Sequence, residues 1–230
     1  MKTAAFLMVV LSGHLWGDFF DDFQSYQPGQ GPESSGNWIR EEYGGYALVT
    51  SQGENQVIEA FFPDSTYLGY LCAVAGFWSD GSVSMDFSPD GTGSLVNVLA
   101  RMQITTGEAY VGGVIVFLQP FTYAYIGYVS VSGDYELLYS NFGPTVTPGT
   151  WVNVGLTVEN QDPVTLTLHI NGQQAAQVVD PVYRLGSGLC GFAMIYEGEI
   201  PSIHADDFQV VLSAQGLEAT TFGAIKAVFR

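Results

Sequence analysis

Residues 151–172 contain two runs in which apolar and polar side chains alternate with a period of two. In the first, Val152, Val154, Leu156 and Val158 fall on one side, and Asn153, Gly155, Thr157 and Glu159 on the other. In the second, Val164, Leu166, Leu168 and Ile170 oppose Thr165, Thr167, His169 and Asn171. Successive side chains of an extended strand point to opposite faces, so this pattern predicts half-buried strands and argues against a helix. The second run closes on Asn171-Gly172, and both central positions of a two-residue hairpin turn need the positive φ that Asn and Gly tolerate.

The rest of the chain carries the same signal. GSVSMDF turns Val83, Met85 and Phe87 inward, and further strand candidates are GYALVT, NQVIEAFF, YLCAVAGF, LVNVLARMQ, YVGGVIVFL, YAYIGYVSV and YELLYS. Turn clusters such as Ser79-Asp80-Gly81, Ser88-Pro89-Asp90-Gly91, Ser132-Gly133-Asp134 and Thr147-Pro148-Gly149 separate them. A dozen or more short strands in a chain of 230 residues predict an all-β fold of two packed antiparallel sheets, a sandwich or jelly roll. No interior linker or long-period repeat divides it.

Composition narrows the partners. Six Lys and Arg stand against 23 Asp and Glu, a net charge of −17. Such a chain repels nucleic acid phosphates and anionic membrane surfaces. Neutral polysaccharide and metal cations remain compatible. The opening MKTAAFLMVVLSGHLWG places one Lys before an apolar run from Ala4 to Leu11, the layout of a secretory signal and too short to span a bilayer. The expected division is a signal over 1–17, one domain over 18–212, and a linker with a short tail over 213–230; the alternative for the first segment is a buried strand.

The order of elements resembles the concanavalin A-like lectin/glucanase superfamily, in the form of LamG-like and carbohydrate-binding bacterial extracellular domains. The resemblance runs from about Asp18 to Leu212. It rests on DDFQSYQPG followed by Trp38, then YALVTSQGENQVIEA, ARMQITTGEAYVGGVIV and AYIGYVSVSGDYELLYS. TPGTWVNVGLTVE, TLTLHINGQQAAQVVD, GSGLCGFAMIY and ADDFQVV complete it. The resemblance implies a secreted or cell-surface jelly roll whose first and last strands are neighbours.

That adjacency bears on a repeated tetrapeptide, DDFQ, at Asp21 to Gln24 and again at Asp206 to Gln209. If the two ends meet, Phe23 and Phe208 share the core, and Asp21, Asp22, Asp206 and Asp207 cluster. Clustered carboxylates repel unless neutralised, and the resemblance implies one structural Ca²⁺, a hard oxygen-liganded cation suited to them. Alternation leaves open the other reading, in which half of these acids face solvent. Two cysteines, Cys72 and Cys190, lie in apolar runs, and a disulfide and a pair of buried free thiols both stand.

Glucanases of this fold place carboxylates on one strand in a Glu-x-Asp-x-Glu pattern, suited to a retaining pair about 5 Å apart. The chain has no such motif. SMDFSPDG offers only Asp86 on its polar face, EEYGG reads as a loop, and Glu197 and Glu199 are spaced to share a face only if their segment is a strand. No catalytic residue is assigned. Sugars are held by aromatic platforms and neighbouring polar groups. In PFTYAYIGYVS, a core face bearing Ile126 would leave Tyr123 and Tyr125 on an outward face with Phe121. Tyr67, Trp78 and His169, which sits among threonines, complete the candidate set. Three functions follow: a non-catalytic glycan-binding domain, an extracellular assembly protein whose sheet edges and tail self-associate, and a glycoside hydrolase-like enzyme. The tail TTFGAIKAVFR resembles short sorting or attachment signals of secreted bacterial proteins.

Overall fold

The computed structural model describes residues 18–43, 45–62, 67–116, 122–196 and 202–213. The expected signal, nearly all of the tail, Phe121, Glu197 and Glu199 lie outside the described residues. The strands are β1 (Phe19–Asp21), β2 (Trp38–Tyr43), β3 (Tyr46–Gln52), β4 (Asn55–Phe61), β5 (Tyr67–Cys72), β6 (Gly81–Pro89), β7 (Ser94–Met102) and β8 (Ala109–Val116). They continue with β9 (Thr122–Val129), β10 (Tyr135–Phe142), β11 (Val152–Glu159), β12 (Val164–Ile170), β13 (Gln173–Asp180), β14 (Leu189–Tyr196) and β15 (Ile203–Leu212). One sheet runs β13-β12-β11-β6-β15-β4-β3, with β1 also on β15; the other runs β10-β9-β8-β7-β14-β5-β2. All pairings are antiparallel, which gives the two-sheet jelly roll expected from the alternation. Glu41 and Glu42, read as loop residues, belong to β2.

The two sheets bury one continuous apolar layer between them. Val152, Val154, Leu156 and Val158 of β11 and Val164, Leu166, Leu168 and Ile170 of β12 all enter it, as their period requires. From the opposing sheet come Val96 and Val98 of β7, Tyr110 and Val114 of β8, Ile126 of β9, and Phe192 and Met194 of β14. Asn171 sits at φ 51° and Gly172 at φ 73°, the positive values that the hairpin turn needs.

The chain ends meet. Phe19 pairs with Val210, Phe20 with Gln209 and Asp21 with Phe208. The other edge of the same stretch of β15 pairs with β6, and residues 203–205 pair with β4. Phe23 and Phe208 are both fully buried and converge on Trp38, at ring-centroid distances of 5.9 and 4.8 Å. Trp38 is therefore a core residue under the sheet closure.

Candidate functional site

Three of the four DDFQ carboxylates, Asp22, Asp206 and Asp207, lie within electrostatic reach of one another, and Asp21 does not join them. Asp21, at the end of β1, points inward. Its carboxylate accepts hydrogen bonds from Trp38 Nε1 (3.0 Å), Tyr26 Oη (2.5 Å) and the backbone N–H of Phe23 (3.0 Å). It is occupied in fixing the core tryptophan. Asp206 and Asp207 fall at a bulge where the β15–β6 pairing shifts, and Asp207 takes φ 50°. The bulge breaks strict alternation: Asp206 is buried beside the buried Ala205, while Asp207 is exposed. Asp206 accepts from Asn55 Nδ2 (2.7 Å) and from the Asp207 N–H (2.9 Å), and Asp86 lies across from it on β6. Among the described residues, no three His, Cys, Asp or Glu side chains form a group able to hold a metal ion.

The cluster has a pH consequence. Burial pushes the Asp206 carboxyl up to about 6, helped by the charges of Asp207 and Asp22 and opposed by its two hydrogen bonds. Asp207 is also raised, chiefly by burial and then by Asp86 and Asp22. An unfolded carboxyl titrates near ~3.9, so the native state keeps this proton over a window in which the unfolded chain has lost it. That stabilisation is complete below about pH 4 and is lost as pH rises through about 6. Urea unfolding at pH 5 and 7.5 is expected to show the native protein losing stability between them, with Asp206→Asn losing less by on the order of 1–3 kcal/mol. Equal losses in both proteins would refute this. Repeating the titration in Ca²⁺ and in EDTA tests the Ca²⁺ expectation, because a bound cation would flatten the slope.

Cys72 and Cys190 are direct partners across β5 and β14, both buried and both free thiols. Burial raises the Cys190 thiol well above its ordinary range, while hydrogen bonding to Cys190 lowers that of Cys72.

A concavity of about 1130 Å³ lies on the face of the seven-stranded sheet turned away from the core. Alternation explains its lining. On β7 the even-numbered Val96 and Val98 enter the core, so Leu95, Asn97 and Leu99 face outward. On β8 the outward residues are Ala109, Val111 and Ile115, and on β9 Tyr123, Tyr125 and Val129. Glycines make the room. A Cβ on Gly113 would collide with the Asn97 carbonyl, to which the Tyr125 hydroxyl donates. A Cβ on Gly127 would collide with the Tyr135 ring, which lies across β9 from its place on β10. The Tyr67 hydroxyl lies in the same way over Gly69.

Of the sequence candidates, Tyr67, Tyr123 and Tyr125 all line this groove. Tyr125 is part of its floor, 5 % exposed, with its hydroxyl engaged by Asn97. Tyr123 is half-buried and packs against Phe142 at 4.7 Å. Trp78 does not join them: it is 3 % exposed in the inter-sheet core, where its backbone bridges to Gly188. His169 lies on β12 of the other sheet, paired with Gly155 and Gln174, and is also outside the groove. Sequence reasoning missed Tyr135, whose strand shows no clean alternation; it pairs with Val129 and its ring reaches over Gly127, and the glycine of YAYIGYVS is the signal that could have pointed to a ring there. No Asp, Glu, Lys, Arg or His lines the groove among the described residues. Arg40, Arg101 and Arg184 are all engaged within the fold: Arg40 donates to the Gly45 carbonyl, Arg101 to three carbonyls and Asp80, and Arg184 to Asp180 and Glu136.

No protein-family model matches the sequence, and no curated protein matches it significantly. Solved structures do match the fold. A carbohydrate-binding module, CBM66 from Bacillus subtilis, aligns with a TM-score of 0.56 at 10% identity, covering 75% of this chain and 93% of that one. The carbohydrate recognition domain of Emp46p, in a potassium-bound form, gives 0.59 at 10% identity, covering 83% and 94%. A Bacteroides ovatus mixed-linkage glucan GH16 protein in complex with a G4G4G3G product gives 0.57 at 10% identity, covering 84% and 99%. At these identities the likeness is one of architecture, and it establishes that the chain has the concanavalin A-like jelly-roll fold.

Proposed function

We propose that the protein is a secreted or cell-surface, non-catalytic glycan-binding domain, and that the outer groove of the seven-stranded sheet holds the ligand. The observation that carries this is the convergence of Tyr67, Tyr123 and Tyr135 with the hydroxyls of Thr106, Ser130, Ser132 and Ser140 around one uncharged cleft. Tyrosine supplies a flat apolar face for a sugar ring and a polar tip for its hydroxyls. The structural likeness to a carbohydrate-binding module and to a carbohydrate recognition domain supports the same reading. The likeness to a GH16 protein supports turnover less, because no carboxylate pair lines the groove among the described residues.

The test is retention of the purified chain on a panel of insoluble neutral polysaccharides, with turnover followed in parallel. Retention without release of sugars is expected. Tyr123→Ala and Tyr135→Ala should each weaken it by about tenfold, the scale of losing a well-placed aromatic contact. Absence of retention across the panel would sink the proposal. Polymerisation of the purified chain without any retention would favour the assembly reading instead. That reading draws on β10, an edge strand whose Tyr135, Leu137 and Phe142 are exposed.

A further inference from the structure

The groove's lining is more apolar than a plain sugar requires. Its floor is built from Leu95, Leu99, Met102, Val111, Ile115 and Ile195. Leu99, Met102 and Val111 belong to a hydrophobic cluster separate from the inter-sheet core, together with Leu71, Ala109, Tyr125, Leu189 and Ala193. The sheet thus has an apolar layer on both faces, and the second faces a cavity. The main polar group on the floor, Asn97, already accepts the Tyr125 hydroxyl through its side-chain oxygen. A sugar ring laid on that floor, rather than against the tyrosines and hydroxyls that border it, would leave hydroxyls without partners, which is costly in a desolvated site.

Polar groups border this floor. Ala109 pairs with Val129, and beyond this end lie Thr106, Gly107, Ser130, Ser132 and Gly133, a hydroxyl-bearing mouth. Six residues along β8, roughly 20 Å at strand spacing, Ile115 pairs with Tyr123 and with Leu95, and Leu95 in turn pairs with Ile195. Ile195 also pairs with Tyr67, so tyrosine rings border that end, and the aliphatic floor lies between polar borders. No cationic side chain lines either end among the described residues, and the mouth hydroxyls of Thr106 and Ser132 donate to the carboxylates of Glu108 and Asp134, in a chain of net charge −17. A fatty acid carboxylate would find no cation there and a strongly negative surround.

We infer that the groove binds a neutral amphiphile, a glycoside bearing an alkyl or acyl chain, with the chain on the aliphatic floor and the sugar against the tyrosines and hydroxyls that border it. This inference rests on the glycan-binding reading and names its ligand class.

The experiment is calorimetric titration of the purified chain with hexyl, heptyl and octyl glucoside below their micelle concentrations, beside octanol, octanoate and an unsubstituted oligosaccharide. Affinity is expected to rise about threefold to fourfold per added methylene, as burial of each CH₂ requires, with octyl glucoside above octanol and octanoate weakest. Val131 and Leu137 line the rim at 66 % and 52 % exposure, so Val131→Asp and Leu137→Asp leave the fold intact. Each should lower octyl glucoside affinity by about fivefold or more. An unsubstituted oligosaccharide that binds while the alkyl series stays flat would overturn the inference and leave the glycan reading standing. Octanol binding as tightly as octyl glucoside would overturn both the inference and the glycan reading, because the sugar would then contribute nothing. Rim variants without effect would place the amphiphile elsewhere and overturn the inference.

Discussion

Replacing Arg101 by Met is expected to cost the fold about 3–5 kcal/mol, the scale of breaking a buried, hydrogen-bonded charge. Arg101 is fully buried. Its guanidinium donates to the carbonyls of Ser79 (2.6 Å), Leu185 (2.8 Å) and Asn160 (2.5 Å) and pairs with Asp80 at 3.2 Å. Three separate connections of the sandwich are thus tied to one side chain. Met preserves much of the packing volume but leaves three carbonyls and a carboxylate without their donor. The residue also sits at φ 53°, where the pairing of β7 with β14 shifts and Gly188 packs against its backbone. Urea unfolding checks this through a lower midpoint at unchanged slope. Arg101→Lys is expected to recover less than half of the loss, since one ammonium cannot reach three diverging carbonyls. A loss below about 1 kcal/mol for Met would show that water can replace the network.

The second large effect is expected at Asp21. Asp21→Ala removes the acceptor for Trp38 Nε1, the Tyr26 hydroxyl and the Phe23 N–H. Buried donors left unpaired cost about 1–3 kcal/mol each, part of which relaxation recovers, so a loss of about 2–4 kcal/mol is expected. The readout specific to this role is the near-ultraviolet signal of Trp38, held between the rings of Phe23, Phe192 and Phe208. Asp21→Asn retains an acceptor and should fall between wild type and Ala. Were Asp21 instead a cation ligand, EDTA would reproduce the Ala phenotype in the wild-type chain; no effect of EDTA is expected.

The closure of the sheet at the two DDFQ segments was legible in the sequence because it needed only period two and a recognisable order of strands. Phe23 and Phe208 reach the core as that order implied. The fate of the aspartates was not legible. Phe23 takes φ 56° and Asp207 φ 50°. Each departure from extended backbone changes which way a neighbouring carboxylate points, and no residue type in DDFQ announces it. The tyrosines of β9 were readable once Ile126 was assigned to the core. Trp78 was not, because a tryptophan at a strand end serves a platform and a core equally well by composition.

The sequence by itself determined the all-β architecture and, in β11 and β12, which side chains are buried, since those strands are apolar on one face only. It could not do so for the seven-stranded sheet. In β7, β8 and β14 almost every residue is buried, so a period of two carries no contrast between the faces. Only the tertiary structure decided that one apolar face packs against the partner sheet while the other lines an open groove. Whether an apolar face is covered depends on the layer stacked against it, and that is a property of distant segments rather than of the strand itself.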